Sequence, residues 1–242
     1  MRTGVLLLHG SSGTPDLERA RILEAEGYDV LAPQWFDGRI SQIPLESFPL
    51  DELAARNDRV AVMGTSRGAE AALLLGTLDE RVDAVIALAP GAHAWGWNEN
   101  GEQTSPWTWQ GEPLPFVPLD LDWTPYDDPP TFIGWYRQSL QTYAAVAEAA
   151  RIPAERFKGD LLMVAGGDDQ LWPSVEFAER IALAREDLPT RTLVAARAGH
   201  RVIFPGETPK TGGQRMARGG TEDADRELGT LAWGDVLRVL GG

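Results

Sequence analysis

Five residues, Gly64-Thr65-Ser66-Arg67-Gly68, constrain this chain more than any other segment. They follow the apolar run Arg59-Val60-Ala61-Val62-Met63 and open a small-residue stretch, Arg67 to Gly76, that reads as a helix. A G-x-S-x-G segment between a buried strand and a helix is a nucleophile elbow, a sharp and strained turn that exposes the serine hydroxyl. Glycine is required on both sides of it, because a side chain there would collide with the neighbouring strand or helix.

The rest of the chain supplies the architecture such a turn needs. Short Val/Leu/Ile runs suited to buried parallel strands recur at 4–8, 28–33, 59–63, 82–88, 160–165 and 190–195. Helical patterns lie between most of them. Thr14-Pro15 reads as a helix start that Gly27 closes, and Pro173 opens another helix with Phe177, Ile181 and Ala184 at core spacing. A last helix begins at Thr221, carries Glu222, Asp223 and Asp225 in its first turn and buries Trp233, Val236, Leu237 and Leu240. Alternating strands and helices predict a doubly wound, mostly parallel sheet. With 242 residues, 43% of them hydrophobic, one α/β domain over 1–242 is expected.

Two stretches break the alternation. Residues 34–58 hold little helical pattern and include Pro44 and Pro49. Residues 91–134 are rich in proline and aromatics: Trp95, Trp97, Trp107, Trp109, Phe116, Trp123, Tyr126 and Phe132. An insertion of that length is usually functional, so it is expected to fold over the serine as a lid or pocket wall. The same aromatics would also serve as a satellite core, and the two roles are compatible.

Composition narrows the partners. A net charge of −14 argues against nucleic acid, whose phosphates would be repelled. The charge is uneven: Arg191, Arg197, Arg201, Lys210, Arg215 and Arg218 face a single Glu207 within 191–218, a segment of +5 in a remainder of −19. That stretch is either a solvated loop or a holder for an anionic substrate handle such as a phosphate. With no cysteine, neither disulfides nor thiolate chemistry is available. No stretch reaches the roughly 20 apolar residues of a membrane span. Met1-Arg2-Thr3-Gly4 runs straight into the first strand pattern, so no signal peptide and a cytoplasmic location are expected.

A serine hydroxyl is a weak nucleophile and needs a base within hydrogen-bond reach. Of the three histidines, His9 ends the first strand and His93 follows the 82–88 strand. Only His200, after Gly199, lies beyond an acidic strand-end loop, which matches the Ser…Asp…His order of α/β-hydrolases. That loop, Gly166-Gly167-Asp168-Asp169-Gln170-Leu171-Trp172-Pro173, offers two acids. Similarity to that superfamily's spacing favours Asp169 over Asp168 as the residue orienting the imidazole. Backbone N–H groups of Arg67, next to the nucleophile, and of Ser11, in His9-Gly10-Ser11-Ser12-Gly13, are the expected oxyanion donors. His9 itself reads as a brace for that loop. No phosphate-binding glycine motif and no ligand-spaced metal cluster is present, so no cofactor or metal is expected.

The resemblance is narrower than a superfamily. The chain resembles the catalytic domain of the acyl-CoA thioesterase / bile acid-CoA:amino acid N-acyltransferase family, close to the dienelactone hydrolases. The segments that carry it are Gly4-Val5-Leu6-Leu7-Leu8-His9-Gly10-Ser11-Ser12-Gly13, Ile43-Pro44-Leu45-Glu46-Ser47-Phe48 and Val62-Met63-Gly64-Thr65-Ser66-Arg67-Gly68. Further on come Leu114-Pro115-Phe116-Val117-Pro118, Gly166 to Ser174, and Ala198-Gly199-His200 with Pro205 and Pro209. The resemblance implies a Ser66–Asp169–His200 triad on an α/β-hydrolase sheet trimmed at its start, without the family's immunoglobulin-like domain. It implies an acyl thioester substrate, acyl-CoA or a carrier-bound acyl group. The aromatic insertion is expected to hold the acyl chain and the basic 191–218 loop to meet the CoA phosphates, with Trp95, Trp107, Phe116, Trp172 and Arg201 as candidate contacts. Serine rather than the cysteine of the conjugating branch favours water as acceptor, hence hydrolysis. An ester or lactone hydrolase, an acyltransferase, and a retired hydrolase serving as a binding module are the alternatives.

Overall fold

The computed structural model describes residues 1–210 and 214–241. The expected apolar runs form six parallel strands: β1 (Thr3–Leu8), β2 (Asp29–Leu31), β3 (Arg59–Thr65), β4 (Ala84–Leu88), β5 (Asp160–Gly166) and β6 (Thr190–Ala195). They lie in the order β6-β5-β4-β3-β1-β2. Helices α1 (Leu17–Ala25), α2 (Leu50–Ala54), α3 (Arg67–Leu78), α6 (Ser174–Ala184) and α7 (Glu222–Gly241) pack on the sheet, while α4 (Ile133–Thr142) and α5 (Ala144–Ala147) pair with each other, with Tyr136 of α4 against Trp95 and Trp172.

Successive side chains of a strand point to opposite faces, so each inner strand feeds two cores. On one face Leu6, Leu8, Val62, Val85 and Ala87 pack with Leu73 and Leu75 of α3, Phe177 and Ile181 of α6, Trp95 and Trp107. On the other, Val5, Leu7, Ala61, Ile86 and Val164 pack with Leu23 of α1 and Leu228, Ala232, Val236 and Leu240 of α7. Burial on both faces is why β1, β3, β4 and β5 read as continuous apolar runs, while the edge strands β2 and β6 are only half-buried.

The helix boundaries shift from the sequence expectation in instructive ways. α1 starts at Leu17, with Asp16 rather than Thr14 at its N-cap position. In α6 the apolar stripe is Phe177, Ala178 and Ile181, while Ala184 faces solvent. In α7 the buried stripe is Leu228, Ala232, Val236 and Leu240, and Trp233 and Leu237 are half-buried. Gly229 lies inside that helix for a steric reason: a Cβ there would sit 1.8 Å from the Ile203 carbonyl oxygen. Its helix-propensity cost of roughly 1 kcal/mol is therefore the condition for close packing.

The aromatic insertion is ordered by short ribbons. Trp97–Glu99 pairs antiparallel with Glu102–Thr104, and Trp107–Trp109 bridges Ile43–Pro44 and Glu112–Pro113. Its root is fixed to the first turn of α3. The buried Glu70 carboxylate accepts from Trp107 Nε1 at 2.7 Å and from the Trp95 amide at 3.2 Å. Arg67 donates to Glu70 at 3.2 Å and to the Trp95 and Gly96 carbonyls at 2.6 and 3.0 Å. Burial raises the Glu70 carboxyl above its ordinary value, and these donors oppose the rise. The satellite-core role therefore holds for Trp95 and Trp107, both fully buried.

His93 ends up in the same core, edge-on to Trp95 and Phe177. Burial, reinforced by Arg180, pushes its imidazole down from 6.5 to about 4. Between those values the unfolded chain binds a proton that the folded protein refuses. Stability from the neutral ring is thus complete above about 6.5 and lost as pH falls toward about 4, a change of about 3 kcal/mol at most. Thermal denaturation from pH 4 to 7 should show His93→Gln with a flatter acid limb than wild type. Parallel curves would remove His93 as the cause.

Candidate active site

The site is built at the carboxyl ends of β1, β3, β5 and β6. Ser66 adopts φ 57° and ψ −117° at the head of α3, a conformation that costs an L-residue about 1–3 kcal/mol. Its amide donates to the Leu88 carbonyl at 2.8 Å. The flanking glycines are there because three backbones meet around the turn. A Cβ on Gly64 would lie 2.0 Å from the Gly68 carbonyl oxygen, and one on Gly68 would lie 2.4 Å from the Leu8 oxygen.

The loop after β1 lies against this turn. A Cβ on Gly10 would stand 3.4 Å from Ser66 Cβ, so the backbone at Gly10 passes beside Ser66. His9 braces the loop. Its Nδ1–H donates to the Gly10 carbonyl at 2.7 Å, its own carbonyl accepts from Trp35 Nε1 at 3.1 Å, and its ring stacks on Trp35. Burial lowers its pKa, which keeps the ring neutral.

Asp169 and His200 are joined directly: Nδ1 of the imidazole lies 2.8 Å from Asp169 Oδ2. The other Asp169 oxygen accepts from the amides of Leu171 and Trp172 at 2.9 and 3.3 Å. A carboxylate on Nδ1 fixes the proton there and leaves Nε2 as the free acceptor. The His200 amide donates to the Arg218 carbonyl at 2.8 Å, and the Trp172 ring meets the imidazole edge-on at 5.9 Å. Asp168 does something else. Its carboxylate accepts from Gln170 Nε2 at 2.7 Å and from the Gly220 amide at 2.8 Å, tying the acid loop to the start of α7. Among the described residues no hydrogen bond joins Ser66 Oγ to His200; in unliganded enzymes this contact commonly tightens only with substrate.

The aromatics divide by position. Trp172 is buried beside His200, with Nε1 donating to the Ala89 carbonyl at 3.1 Å. Trp95 lies one ring further away, separated by Tyr136 of α4, which is edge-on to both tryptophans. Trp107 points to Glu70, and Phe116 covers Gly96. Arg201 donates to the Lys210 carbonyl. The rest of the basic stretch is neutralised locally. Arg191 pairs with Asp235, Arg197 with Glu227, Lys210 with Asp16 and Arg215 with Asp128, while Arg218 donates to the Met216 and Gln214 carbonyls. Two cavities of about 310 and 210 Å³ flank Arg151 on the α3–α6 side, and neither is lined by Ser66, Asp169 or His200.

Two residues at the site escaped the sequence reading. Tyr136 sits beside Arg67, and burial raises its hydroxyl above its ordinary value. Its only sequence signal is an aromatic position in an unremarked helix. Asp225 accepts from the Gly199 amide at 2.7 Å and so holds the turn that presents His200. In the sequence it looks like one more acid in a helix's first turn.

A parallel sheet in this order, with serine at a nucleophile elbow, defines the class: the protein is an α/β-hydrolase-fold enzyme. Residues 50–218, more than half of the chain, match the family described as BAAT / acyl-CoA thioester hydrolase C terminal, and the chain belongs to that family. No protein of curated function matches the sequence significantly. Similar solved structures carry the same fold. The Pyrococcus furiosus esterase Pf2001 aligns at TM-score 0.51 and 15% identity over 80% of this chain and 73% of its own. A dienelactone hydrolase-like promiscuous phosphotriesterase from metagenomic libraries aligns at 0.52 and 16% over 99% of this chain and 86% of its own. Among the described residues no helix is long and apolar enough to cross a membrane.

The two neighbouring acids should separate cleanly in kinetics. Asp169→Asn should lower kcat/KM for an activated ester by roughly 10³–10⁴-fold, because the amide selects the wrong tautomer. Asp168→Asn should cost less than about tenfold. The opposite ranking in steady-state rates would exchange their roles.

Proposed function

We propose that the protein hydrolyses acyl thioesters, acyl-CoA or a carrier-bound acyl group, through an acyl-Ser66 intermediate. His200 Nε2 takes the hydroxyl proton as Ser66 Oγ attacks the acyl carbonyl, and returns it to the departing thiolate. Water then repeats the sequence, releasing the acid and free Ser66. Asp169 holds the imidazole in the tautomer this requires and stabilises its protonated form. The amides of Ser11 and Arg67 receive the oxyanion, each contributing roughly 10²–10³ in kcat. The observation that carries the reading is the 2.8 Å Asp169–His200 hydrogen bond on the same sheet edge as a Ser66 elbow. Family membership supports the thioester, and serine at the elbow supports water as acceptor.

One observation favours a second reading, hydrolysis of an oxygen ester or lactone without CoA. Four of the six basic side chains expected to meet CoA phosphates are committed to carboxylates of the same molecule. An anionic handle would meet charge that is already locally balanced.

Steady-state hydrolysis of one acyl group presented on CoA and on p-nitrophenol decides between them. A kcat/KM for the CoA thioester above the ester's by about tenfold or more supports the first reading. Preference for the ester leaves only the second. Ser66→Ala should lower kcat on either substrate by roughly 10⁵–10⁶-fold. A smaller loss removes Ser66 as nucleophile.

A further inference from the structure

The loops that carry the proposed nucleophile, base and oxyanion donors belong to different parts of the chain, and one buried guanidinium on the helix that follows the third joins the first two. Arg19 lies in the first turn of α1, the helix entered from the His9–Gly13 loop. Its Nη1 donates to the hydroxyl of Thr65, the residue before Ser66, at 3.2 Å. Its Nη2 donates to the Val202 carbonyl, two residues past His200, at 2.9 Å. Nε and Nη2 also grip the Glu207 carboxylate at 2.5 and 3.0 Å. Glu207 in turn accepts from the Phe204 amide at 2.9 Å, and the guanidinium lies 4.6 Å over the Phe204 ring. Both side chains are more than nine-tenths buried, 7% exposed for Arg19 and 9% for Glu207.

This arrangement is expensive if stability is its only purpose. A buried ion pair roughly repays its desolvation and can often be replaced by apolar groups at no loss. What an apolar pair cannot do is fix direction. The planar fork directs its N–H groups to a hydroxyl on the elbow strand and to a carbonyl and a carboxylate on the loop after His200, a geometry that lysine cannot reproduce. The surrounding contacts run along the same seam: Glu18 accepts from the Thr208 amide and hydroxyl at 3.0 and 2.9 Å, and Asp16 pairs with Lys210.

We propose that Arg19, clamped by Glu207, is a positioning residue that sets the register of the histidine loop against the nucleophile elbow. It touches neither substrate nor reacting atoms. It acts through Thr65 on the elbow and through Val202 and Phe204 on the loop that presents His200. The proposal rests on the reading of Ser66 and His200 as nucleophile and base. It does not depend on whether the substrate is a thioester or an ester.

The test uses p-nitrophenyl acetate and a fluorophosphonate probe on the full chain, with Arg19→Lys, Glu207→Gln and Thr65→Val. The last variant removes only a hydroxyl and so protects the test against misfolding. A misplacement of the base slows chemistry rather than binding. Arg19→Lys and Glu207→Gln should lower kcat by roughly 10–100-fold with KM within about twofold, and probe labelling of Ser66 should slow in parallel. Thr65→Val should lose about three- to tenfold in kcat at nearly unchanged Tm. Added guanidinium ion should restore part of the activity of Arg19→Ala. If all folded variants keep wild-type kcat while only Tm falls, the pair is structural and the proposal is overturned. A wild type that neither labels nor turns over ester overturns the reaction itself, and the positioning role with it.

Discussion

The backbone turn at Ser66 is the constraint on which the rest of the structure depends. A residue at positive φ between a strand and a helix can persist only if its surroundings over-determine it. Here they do: β1, β3 and α3 approach so closely at Gly64 and Gly68 that no Cβ fits. The Ser66 amide is also pinned to the end of β4. The order β4-β3-β1 is thus part of the site, because it brings the elbow, the Gly10 loop and Leu88 to one point.

From that point two buried polar systems reach outward and do different work. Arg67 and Glu70 face the insertion and secure its root to α3, so Trp95 and Trp107 are held in place over that helix. Arg19 and Glu207 face the opposite side of the sheet and join the elbow to the histidine loop. Both are arginine–glutamate pairs with their hydrogen-bonding capacity spent on backbone carbonyls, amides and side-chain donors, which is the condition for burying charge. The outer face carries most of the remaining ion pairs, where single contacts are worth little. The basic 191–218 stretch belongs there: its charges answer carboxylates on α7, on the Asp16 turn and at Asp128.

Much of the fold was readable along the chain. The four inner strands announce themselves as apolar runs because each is buried on both faces, the half-buried edge strands β2 and β6 do so more weakly, and the elbow is recognisable because its glycines have no substitute. Asp169 was separable from Asp168 only by likeness to a superfamily. The structure gives a physical ground, since one carboxylate meets the imidazole and the other closes a turn onto Gly220. Tyr136, Asp225, Arg19 and Glu207 were not legible. Nothing in a helical tyrosine, a first-turn acid or a lone arginine on a surface-looking helix marks a residue whose partners are many positions away.

Local patterns along the chain were enough to read the elements, their alternation and the family, and they nominate Ser66, Asp169 and His200 for the site. Those properties are written in local patterns: apolar runs, turn residues and short motifs whose geometry is set within a few residues. Which charges pair, which tryptophans are sealed in the core and which buried groups join the elbow to the histidine loop are set by the folded arrangement alone. These depend on contacts between distant segments, where burial makes each unpaired polar group costly and so dictates its partner.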